Sequence, residues 1–476
     1  MGSYKDSLAM QRISRLVDEK SFIEIGSLVT ARNTDFNLTS EKTPSDGVIT
    51  GHGLIDGNLV YVYSQDVSVM NGTIGEMHAK KIEALYDMAL KTGAPVIGFL
   101  DCGGVRLQES IDALDGLGRI YAKQVESSGI IPQITAVFGK CGGGLTTVAA
   151  LSDFVFVEKE NGKFFVNPKN AIKNNVTVDT EDPKFQSEET GVIDQVGTED
   201  EIICNIRELV TILPLNNEGD VYTSECSDDL NRECENMDEM KDSAKYLLQE
   251  ISDDHFMFEV KRDYAKNVVT GFIKLNGMVV GAVANNLACY DIDGNEIERF
   301  SNRLTARECN KITDFVEFCD AFTIPVLTLT DVNGFNTGMC SEKNLAKSVA
   351  KMVYAFSRAT TPKVNIVIRE AFGSPYICMN SKALGADFVY AWENAKIGTM
   401  EAQLAAKIMY NNANSRKLAE KTREYTQLQN NVLSAARRGD VDKIINPMDT
   451  RRYLINTFEV LYTKHVLKPA KKHGTK

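Results

Sequence analysis

The sequence predicts two tandem, related α/β domains, each built from a β-hairpin followed by alternating strands and helices. Two observations carry this prediction. An internal repeat spans most of the chain, and short, continuous apolar runs recur between helical stretches. Continuous apolar strands of this kind are typical of a parallel sheet that is covered on both faces. With 476 residues, the chain is long enough for two large domains of this class.

A hairpin is the first element of each repeat. The segment 47–51, Gly-Val-Ile-Thr-Gly, matches 267–271, Asn-Val-Val-Thr-Gly. In each copy a second glycine follows six residues later, at Gly57 and Gly277. Glycine between two alternating apolar runs favours a tight turn, because it adopts positive φ without a steric penalty.

Strands and helices alternate after the hairpins. Two apolar strands begin after Pro95 and Pro325, and a second proline follows 37 residues later in both copies, at Pro132 and Pro362. Helical patterns precede these strands at about 76–91 and 304–321. The C-terminal third predicts one long helix over about 401–436, which Gly439 would end.

An acidic segment marks the predicted domain boundary. The N-terminal domain is predicted at 1–217 and the C-terminal domain at 243–476. Between them, 218–242 carries ten carboxylates, opposed only by Arg232 and Lys241. Such a composition is typical of a solvated linker.

Charge and composition exclude several classes of function. A formal net charge of -12 argues against nucleic acid or an anionic membrane surface as the main partner. Ten cysteines without a C-x-x-C pair indicate reduced thiols and a cytoplasmic location. No apolar run reaches the ~18 residues of a transmembrane helix. The five histidines lack metal-ligand spacing, and P-loop, H-E-x-x-H and G-x-S-x-G motifs do not occur, so no metal site is predicted.

Glycine clusters that follow strands are the candidate functional sites. One contains Gly103 and Gly104, and another is the run 142–144, followed by an apolar helix. At such turns backbone N–H groups point at a ligand from a helix N-terminus, which suits an oxyanion such as a thioester enolate. A tight turn or close helix–sheet packing explains the same glycines without a function. The repeat places a second such turn at Gly373, 230 residues after Gly143.

These turns lie within motifs that resemble the biotin-dependent acyl-CoA carboxyltransferases. Similar proteins are the β subunits of propionyl-CoA and acetyl-CoA carboxylases and the α subunits of methylmalonyl-CoA and glutaconyl-CoA decarboxylases. The resemblance covers nearly the whole chain. Its matching segments include 46–66, 93–98, 103–109, 264–267, 318–322, 441–447 and 450–451.

The resemblance implies two tandem crotonase-like (ClpP/crotonase) β-β-α superhelix domains and a homo-oligomer, commonly a dimer-based hexamer. It implies an enzyme that moves a carboxyl group between carboxybiotin and the α-carbon of an acyl-CoA. The N domain would bind the coenzyme A thioester, and the C domain of a neighbouring chain would bring biotin. No A-M-K-M biotinylation motif occurs, so biotin would arrive on a separate biotin carboxyl carrier protein. Biotin carboxylase or membrane decarboxylase subunits are the other implied partners.

The resemblance also assigns residues to roles. Four residues would form the two catalytic oxyanion holes: Gly143 and Gly144 for the thioester, and Gly373 and Ser374 for biotin. Further substrate-binding candidates are Gly103, Gly104, Arg106, His78, Lys80, Lys81 and Ile377. Of these, the basic side chains are candidates for the CoA phosphates, although a solvated helix face explains the two lysines about as well. Ile377 lies at a position associated with acyl-chain choice, where propionyl-CoA enzymes tend to have Asp.

The second half departs from the family pattern. Where the family has G-G-A-Y, this chain has Gly-Ser-Pro-Tyr at 373–376, and proline has no N–H. Asn333 replaces the first proline of a D-x-P-G-F-x-P-G motif, and Glu401 stands where glycine is common. These changes motivate an alternative: a non-catalytic paralogue that binds acyl-CoA and assembles with a typical carboxyltransferase subunit. Crotonase-type hydration or isomerisation is a weaker alternative, for which Glu109 is the only nearby acid.

Overall fold

The computed structural model describes residues 7–34, 36, 43–175, 177–219, 223–291, 293–471 and 474. The chain divides into two compact units, 1–220 and 221–476. Each unit is organised around one mixed β-sheet with helices packed against it. The predicted domains at 1–217 and 243–476 stay a prediction. No helix in the described part of the chain is long and apolar enough to cross a bilayer.

The first unit contains strands and helices in the order that the repeat predicts. Its strands are β1 (Ile23–Ile25), β2 (Val48–Ile55), β3 (Asn58–Gln65), β4 (Val96–Leu100), β5 (Gln133–Val137), β6 (Lys140–Gly142), β7 (Phe154–Glu158), β8 (Lys163–Phe165) and β9 (Gln195–Gly197). Its helices are α1 (Leu8–Leu16), α2 (Glu76–Thr92), α3 (Ser110–Ser127), α4 (Leu145–Ala150), α5 (Pro183–Glu189) and α6 (Glu199–Ile212).

The main sheet of this unit has the order β1-β2-β3-β4-β5-β7-β9. Its first three strands are antiparallel, and the remaining neighbours pair in parallel. Every residue of β4, β5 and β7 is buried, as expected for parallel strands covered on both faces. A two-stranded parallel pair, β6 with β8, lies outside this sheet and positions the triple-glycine turn.

The second unit repeats this arrangement with additional helices. Its strands are β10 (Phe258–Val260), β11 (Val268–Leu275), β12 (Met278–Asn285), β13 (Ala288–Tyr290), β14 (Glu296–Arg299), β15 (Val326–Asn333), β16 (Lys363–Phe372), β17 (Phe388–Trp392), β18 (Lys396–Gly398) and β19 (Lys443–Ile445). Its helices are α7 (Ala244–Ile251), α8 (Ala306–Ala321), α9 (Met339–Arg358), α10 (Gly373–Cys378), α11 (Ala402–Met409), α12 (Ser415–Tyr425), α13 (Val432–Arg438) and α14 (Thr450–Leu461).

The sheet order in the second unit, β10-β11-β12-β15-β16-β17-β19, matches the first strand for strand, and β18 pairs additionally with β16. The predicted hairpins are present in both units, β2–β3 and β11–β12. Their turns have positive φ at Asp56 and Gly57 and at Asn276 and Gly277, as a two-residue hairpin turn requires. The internal repeat is therefore a repeat of structure.

A buried lysine also recurs at equivalent places. Lys81 on α2 and Lys311 on α8 lie 230 residues apart and are both buried. The Lys311 ammonium donates to the carbonyl oxygens of Tyr264 and Val268, both at 2.7 Å, next to the start of β11. Lys81 likewise donates to the carbonyl oxygen of Val48 at the start of β2. Each lysine thus fastens a helix to the first hairpin strand of its unit.

Two predictions need correction. The single helix predicted at 401–436 is three helices and a π-helical turn, because Asn414 and Asn431 cap new helices through their side chains. Gly439 does end the last of them, in the left-handed conformation. The acidic segment 218–242 is not solvated throughout. Cys234 and Met237 lie in the hydrophobic core of the second unit.

Ion pairs explain how that acidic segment is accommodated. Arg232 donates to the carboxylates of Asp228 and Glu250. Fully buried Arg451 pairs with Asp253 at 2.7 Å and lies 3.4 Å from Asp228. Because these guanidinium groups neutralise the carboxylates, part of the acidic segment packs against the second unit.

Candidate active site

The triple-glycine turn connects β6 to α4 in the first unit. Gly143 has a φ of 59°, which a residue with a side chain rarely adopts. Its N–H donates to the carbonyl oxygen of Phe165 on β8 at 2.9 Å, and its carbonyl oxygen accepts from the Thr146 hydroxyl at 2.6 Å. Gly143 therefore shapes the turn, and its own N–H is not available to a ligand.

Two consecutive N–H groups at this turn are available. Among the residues that the structure describes, the N–H groups of Gly144 and Leu145 donate to no acceptor. They belong to the first turn of α4, where N–H groups have no partner within the helix. The donor pair is thus shifted by one residue from the predicted pair. Leu145 was missed because only the contact with Phe165, 22 residues away along the chain, shows which N–H is occupied.

The second glycine pair, Gly103 and Gly104, lies in the loop after β4. The Gly103 N–H donates to the carbonyl oxygen of Asn71 at 2.8 Å, and the Gly104 N–H contacts the Cys102 sulfur at 3.3 Å. Neither glycine offers an unoccupied N–H. Burial raises the pKa of the Cys102 thiol to about 12, so this thiol is not a nucleophile at neutral pH.

Arg106 and His78 are not placed to contact CoA phosphates. The Arg106 guanidinium is fully buried and pairs with Asp46 at 2.5 Å and with Glu109 at 2.8 Å. The carboxylate of the same Asp46 accepts a hydrogen bond from the backbone N–H of His78 at 2.7 Å. Burial, and then the Arg106 charge, lowers the pKa of His78 to about 3, so its ring is neutral. These residues form an enclosed network that holds α2 to the loops around it. Glu109 belongs to it, which also weakens the case for a crotonase-type acid at this position.

The two lysines of α2 have different environments. Lys81 is buried, and burial lowers its pKa to about 8. Its ammonium group donates to the Val48 carbonyl oxygen of the hairpin, so it is not available to a ligand. Lys80 is half exposed and pairs with Glu76 at 2.9 Å, one helical turn earlier. Of the four basic candidates, Lys80 is the one whose side chain reaches solvent.

A cavity of about 480 Å³ surrounds the corresponding turn of the second unit. Three predicted site residues, Gly373, Ser374 and Ile377, line it. Tyr376 of the same helix also lines it, and the remaining lining residues come from later parts of the chain: Ile397, Gly398, Thr399, Tyr425, Gln429, Ala435, Arg438 and Asp440. The sequence does not predict the lining residues beyond position 390, because no local pattern indicates that the chain returns to this turn.

The walls of this cavity combine apolar and polar groups. Ile377 is 41% exposed there, and Ile397 provides a second aliphatic surface. Arg438 is held in place by hydrogen bonds to the Ser434 carbonyl oxygen and the Gln429 side chain, both at 2.9 Å. The cavity can therefore enclose a compact ligand that has an apolar body and hydrogen-bonding edges.

The turn in the second unit lacks one backbone donor that its counterpart has. Gly373 has a φ of 70°, close to the 59° of Gly143, so both turns hold a glycine in the left-handed region. Pro375 occupies the position equivalent to Leu145 and has no N–H. Ser374, at the position of Gly144, carries the neighbouring N–H of the first turn of α10, and its side chain is exposed to the cavity.

Two of the unusual residues of the second half are in contact. The Asn333 amide donates to the carboxylates of Glu401 and, at 3.2 Å, of Glu370. Asn302 also donates to Glu370, at 3.3 Å. The replacement of a proline by Asn333 and of a glycine by Glu401 is thus one paired change at the ends of β15 and α11. Within the described ranges, no group of three His, Cys, Asp or Glu side chains is arranged to hold a metal ion.

Comparison with known proteins places this geometry in a family. The carboxyl transferase domain matches residues 5–475. The chain belongs to the carboxyl transferase family. A propionyl-CoA carboxylase beta chain from Roseobacter denitrificans is 38% identical, with 98% of this chain and 92% of that relative covered. The methylmalonyl-CoA decarboxylase subunit alpha of Propionigenium modestum is 37% identical, with the same coverage.

The fold also agrees with a solved structure of the family. Transcarboxylase 12S, solved as a hexamer with hydrolysed methylmalonyl-coenzyme A bound, superposes with a TM-score of 0.91 at 35% identity. The alignment covers 98% of this chain and 92% of that chain. The predicted family and the predicted crotonase-like α/β fold class are confirmed.

Proposed function

We propose that this carboxyltransferase moves a carboxyl group between carboxybiotin and the α-carbon of an acyl-CoA, as a subunit of a carboxylase or decarboxylase. The observation that carries this proposal is the repeated turn. Both units place a positive-φ glycine at a helix N-terminus: Gly143 lies just before α4, and Gly373 is the first residue of α10. The reaction needs two polarised carbonyl groups, a thioester and a cyclic urea, and a turn in each unit meets that need.

The first turn supports the thioester half of the reaction. The N–H groups of Gly144 and Leu145 would stabilise the oxygen on which negative charge develops when the α-carbon loses a proton. Both are fixed before the substrate binds, so no reorganisation energy is needed at the moment of reaction. Lys80 remains a proposed substrate-binding residue of this unit, as the accessible cation for a CoA phosphate. Gly103 and Gly104 remain proposed to line the site without donating to the ligand, because their N–H groups are already occupied.

The second turn and its cavity support the biotin half. The residues present fit a compact bicyclic urea: Ile377 and Ile397 offer apolar contact, and the Ser374 N–H offers a donor to a carbonyl oxygen. When bound, carboxybiotin supplies the carboxyl group that is transferred. Biotin would be covalently attached to a separate biotin carboxyl carrier protein, and biotin carboxylase or membrane decarboxylase subunits complete the proposed assembly.

The proposed assembly is a dimer-based hexamer in the cytoplasm. Its support is the hexamer formed by transcarboxylase 12S, together with cysteines that form no disulfide among the described residues. Size measurement of the purified chain in solution tests the hexamer directly.

The activity is tested by incubating the full chain with biotin, or a biotinylated carrier domain, and a panel of malonyl-, methylmalonyl- and glutaconyl-CoA. We expect loss of one carboxylated thioester that depends on added biotin. A reaction without biotin serves as the control for spontaneous decarboxylation. Turnover identifies the acyl group, and its absence with every thioester and carrier contradicts the proposed activity.

Pro375 favours a second candidate function, that of a non-catalytic subunit which binds acyl-CoA and assembles with a typical carboxyltransferase. The proline removes one donor from the biotin half and leaves the thioester half intact. This candidate predicts acyl-CoA binding, measured by calorimetry, without turnover in the same preparation.

A further inference from the structure

We infer that the side-chain hydroxyl of Ser374 replaces the backbone donor that Pro375 lacks, and that it is a catalytic residue of the second turn. It would donate a hydrogen bond to the carbonyl oxygen of the cyclic urea bound in the cavity. This inference rests on the proposed function and specifies how the unusual turn performs its half of the reaction.

The second turn lacks a backbone donor at the position of Pro375. In the first unit the equivalent positions, Gly144 and Leu145, offer two consecutive N–H groups. In the second unit Ser374 keeps the first of these N–H groups, and Pro375 has none in place of the second. Without the second donor, the charge that develops on a carbonyl oxygen is less well stabilised, and the loss of one such donor typically costs about 10²–10³ in rate.

The residue that precedes the proline has the group needed to replace that donor. Its counterpart Gly144 has no side chain, whereas Ser374 has a hydroxyl that lines the cavity and is exposed. In the described part of the chain this hydroxyl has no hydrogen-bond partner. Because a hydroxyl hydrogen rotates freely about the C–O bond, it can turn toward an acceptor in the cavity.

The direction of the side chain supports the same role. Cα–Cβ bonds in a helix tilt toward its N-terminus, which is also the direction in which the unpaired N–H groups of the first turn point. Ser374 is the second residue of α10, so its Cα–Cβ bond and its own N–H both point toward the N-terminal end of the helix, where Gly373 and Ser374 line the cavity. Serine and proline therefore form a matched pair of changes, in which one removes a donor and the other supplies one.

The test is a double-mutant cycle on the full chain with Ser374→Ala, Pro375→Ala and the double variant. We expect Ser374→Ala to lower kcat of biotin-dependent decarboxylation by roughly 10²-fold, with little change in KM for the acyl-CoA. Pro375→Ala restores a backbone N–H, so the double variant should recover to within about tenfold of the wild type. Ser374→Thr retains a hydroxyl and should keep most of the activity, while thermal unfolding shows that each variant is folded.

Two readouts separate this inference from the proposed activity. The first is turnover, and the second is the affinity for free biotin, measured by ligand-observed NMR. If the wild type lacks turnover but Ser374→Ala weakens biotin binding and Pro375→Ala restores it, the proposed activity is wrong, whereas the hydrogen bond from the Ser374 hydroxyl to the urea oxygen is supported. Equal behaviour of Ser374→Ala and the wild type in both readouts overturns the inference. A Ser374→Ala defect that Pro375→Ala does not repair also overturns it, because the hydroxyl then has another role.

Discussion

The turns at 143–145 and 373–375 both begin with a positive-φ glycine, but they differ in the backbone N–H groups that they offer to a ligand. Both begin with a glycine of similar positive φ and lead into a short helix. The first turn offers the N–H groups of Gly144 and Leu145 to a ligand. In the second turn, Pro375 occupies the position of Leu145 and has no N–H. The comparison teaches that a repeated fold reproduces the place of a site, while single residues decide its chemistry.

Two equivalent carboxylates, Asp153 and Asp387, also differ in their partners between the two units. Asp153 and Asp387 each accept a hydrogen bond from the first residue of the neighbouring strand, Gln133 or Lys363. Asp387 also pairs with the Lys464 ammonium at 2.8 Å. No such cation lies within ion-pair distance of Asp153 among the described residues, and burial raises the pKa of its carboxyl to about 7. Equivalent carboxylates thus lie in different electrostatic environments.

The largest effect is expected from giving the first turn the proline of the second. Leu145→Pro removes one of the two available N–H groups, and we expect kcat to fall by about 10²–10³. Leu145→Ala is the matched control, since it loses the same buried side chain but retains the N–H. Steady-state kinetics of both variants measure the difference, and equal losses in the two would show that packing, rather than the donor, is responsible.

The two buried lysines come next in magnitude. Lys81→Met and Lys311→Met each leave carbonyl oxygens of a hairpin strand without their donor, and we expect the free energy of unfolding to fall by about 3 kcal/mol in each case. Chemical denaturation measures the loss. Lys80→Met on the exposed face of α2 is the control and should change stability by less than about 0.5 kcal/mol. A small effect at Lys81 together with a large one at Lys311 would break the proposed equivalence.

Asp153 should make stability depend on pH. Its pKa in the folded chain is raised from 3.8 to about 7, so the folded state binds more protons than the unfolded state between these values. Stability therefore falls as the pH rises from about 4 to about 7. Asp153→Asn removes the buried charge and should be more stable than the wild type at pH 8 by on the order of 2 kcal/mol.

Thermal unfolding at pH 5 and pH 8 measures this effect. The difference between Asp153→Asn and the wild type should be larger at pH 8 than at pH 5. Asp387→Asn provides the comparison in the second unit. There the substitution removes an ion pair with Lys464, so it should destabilise the chain at pH 8. A difference at Asp153 that does not change with pH would contradict the assigned charge state.

The smallest expected effect concerns acyl-chain choice at Ile377. This side chain is 41% exposed on the cavity wall, so Ile377→Asp should be tolerated by the fold. We expect the ratio of kcat/KM for propionyl-CoA to that for longer acyl-CoA substrates to rise by about tenfold. Competition assays with mixed thioesters measure the ratio, and an unchanged ratio would remove Ile377 from the specificity-determining residues.

The sequence by itself determined the repeat, the hairpins, the helices near 76–91 and 304–321, and the positions of the glycine turns. These features depend on residue periodicity and on turn chemistry, which act over a few neighbouring residues. Family motifs extended the prediction to the reaction and to the residues around Gly143 and Gly373.

Only the tertiary structure decided which groups are available to a ligand. The Gly143 N–H is occupied by Phe165, and Arg106 and His78 are enclosed around Asp46. Arg438 joins the cavity from a helix far along the chain. Each of these outcomes depends on contacts between distant segments, because burial and hydrogen-bond partners are set by packing, which local patterns do not encode.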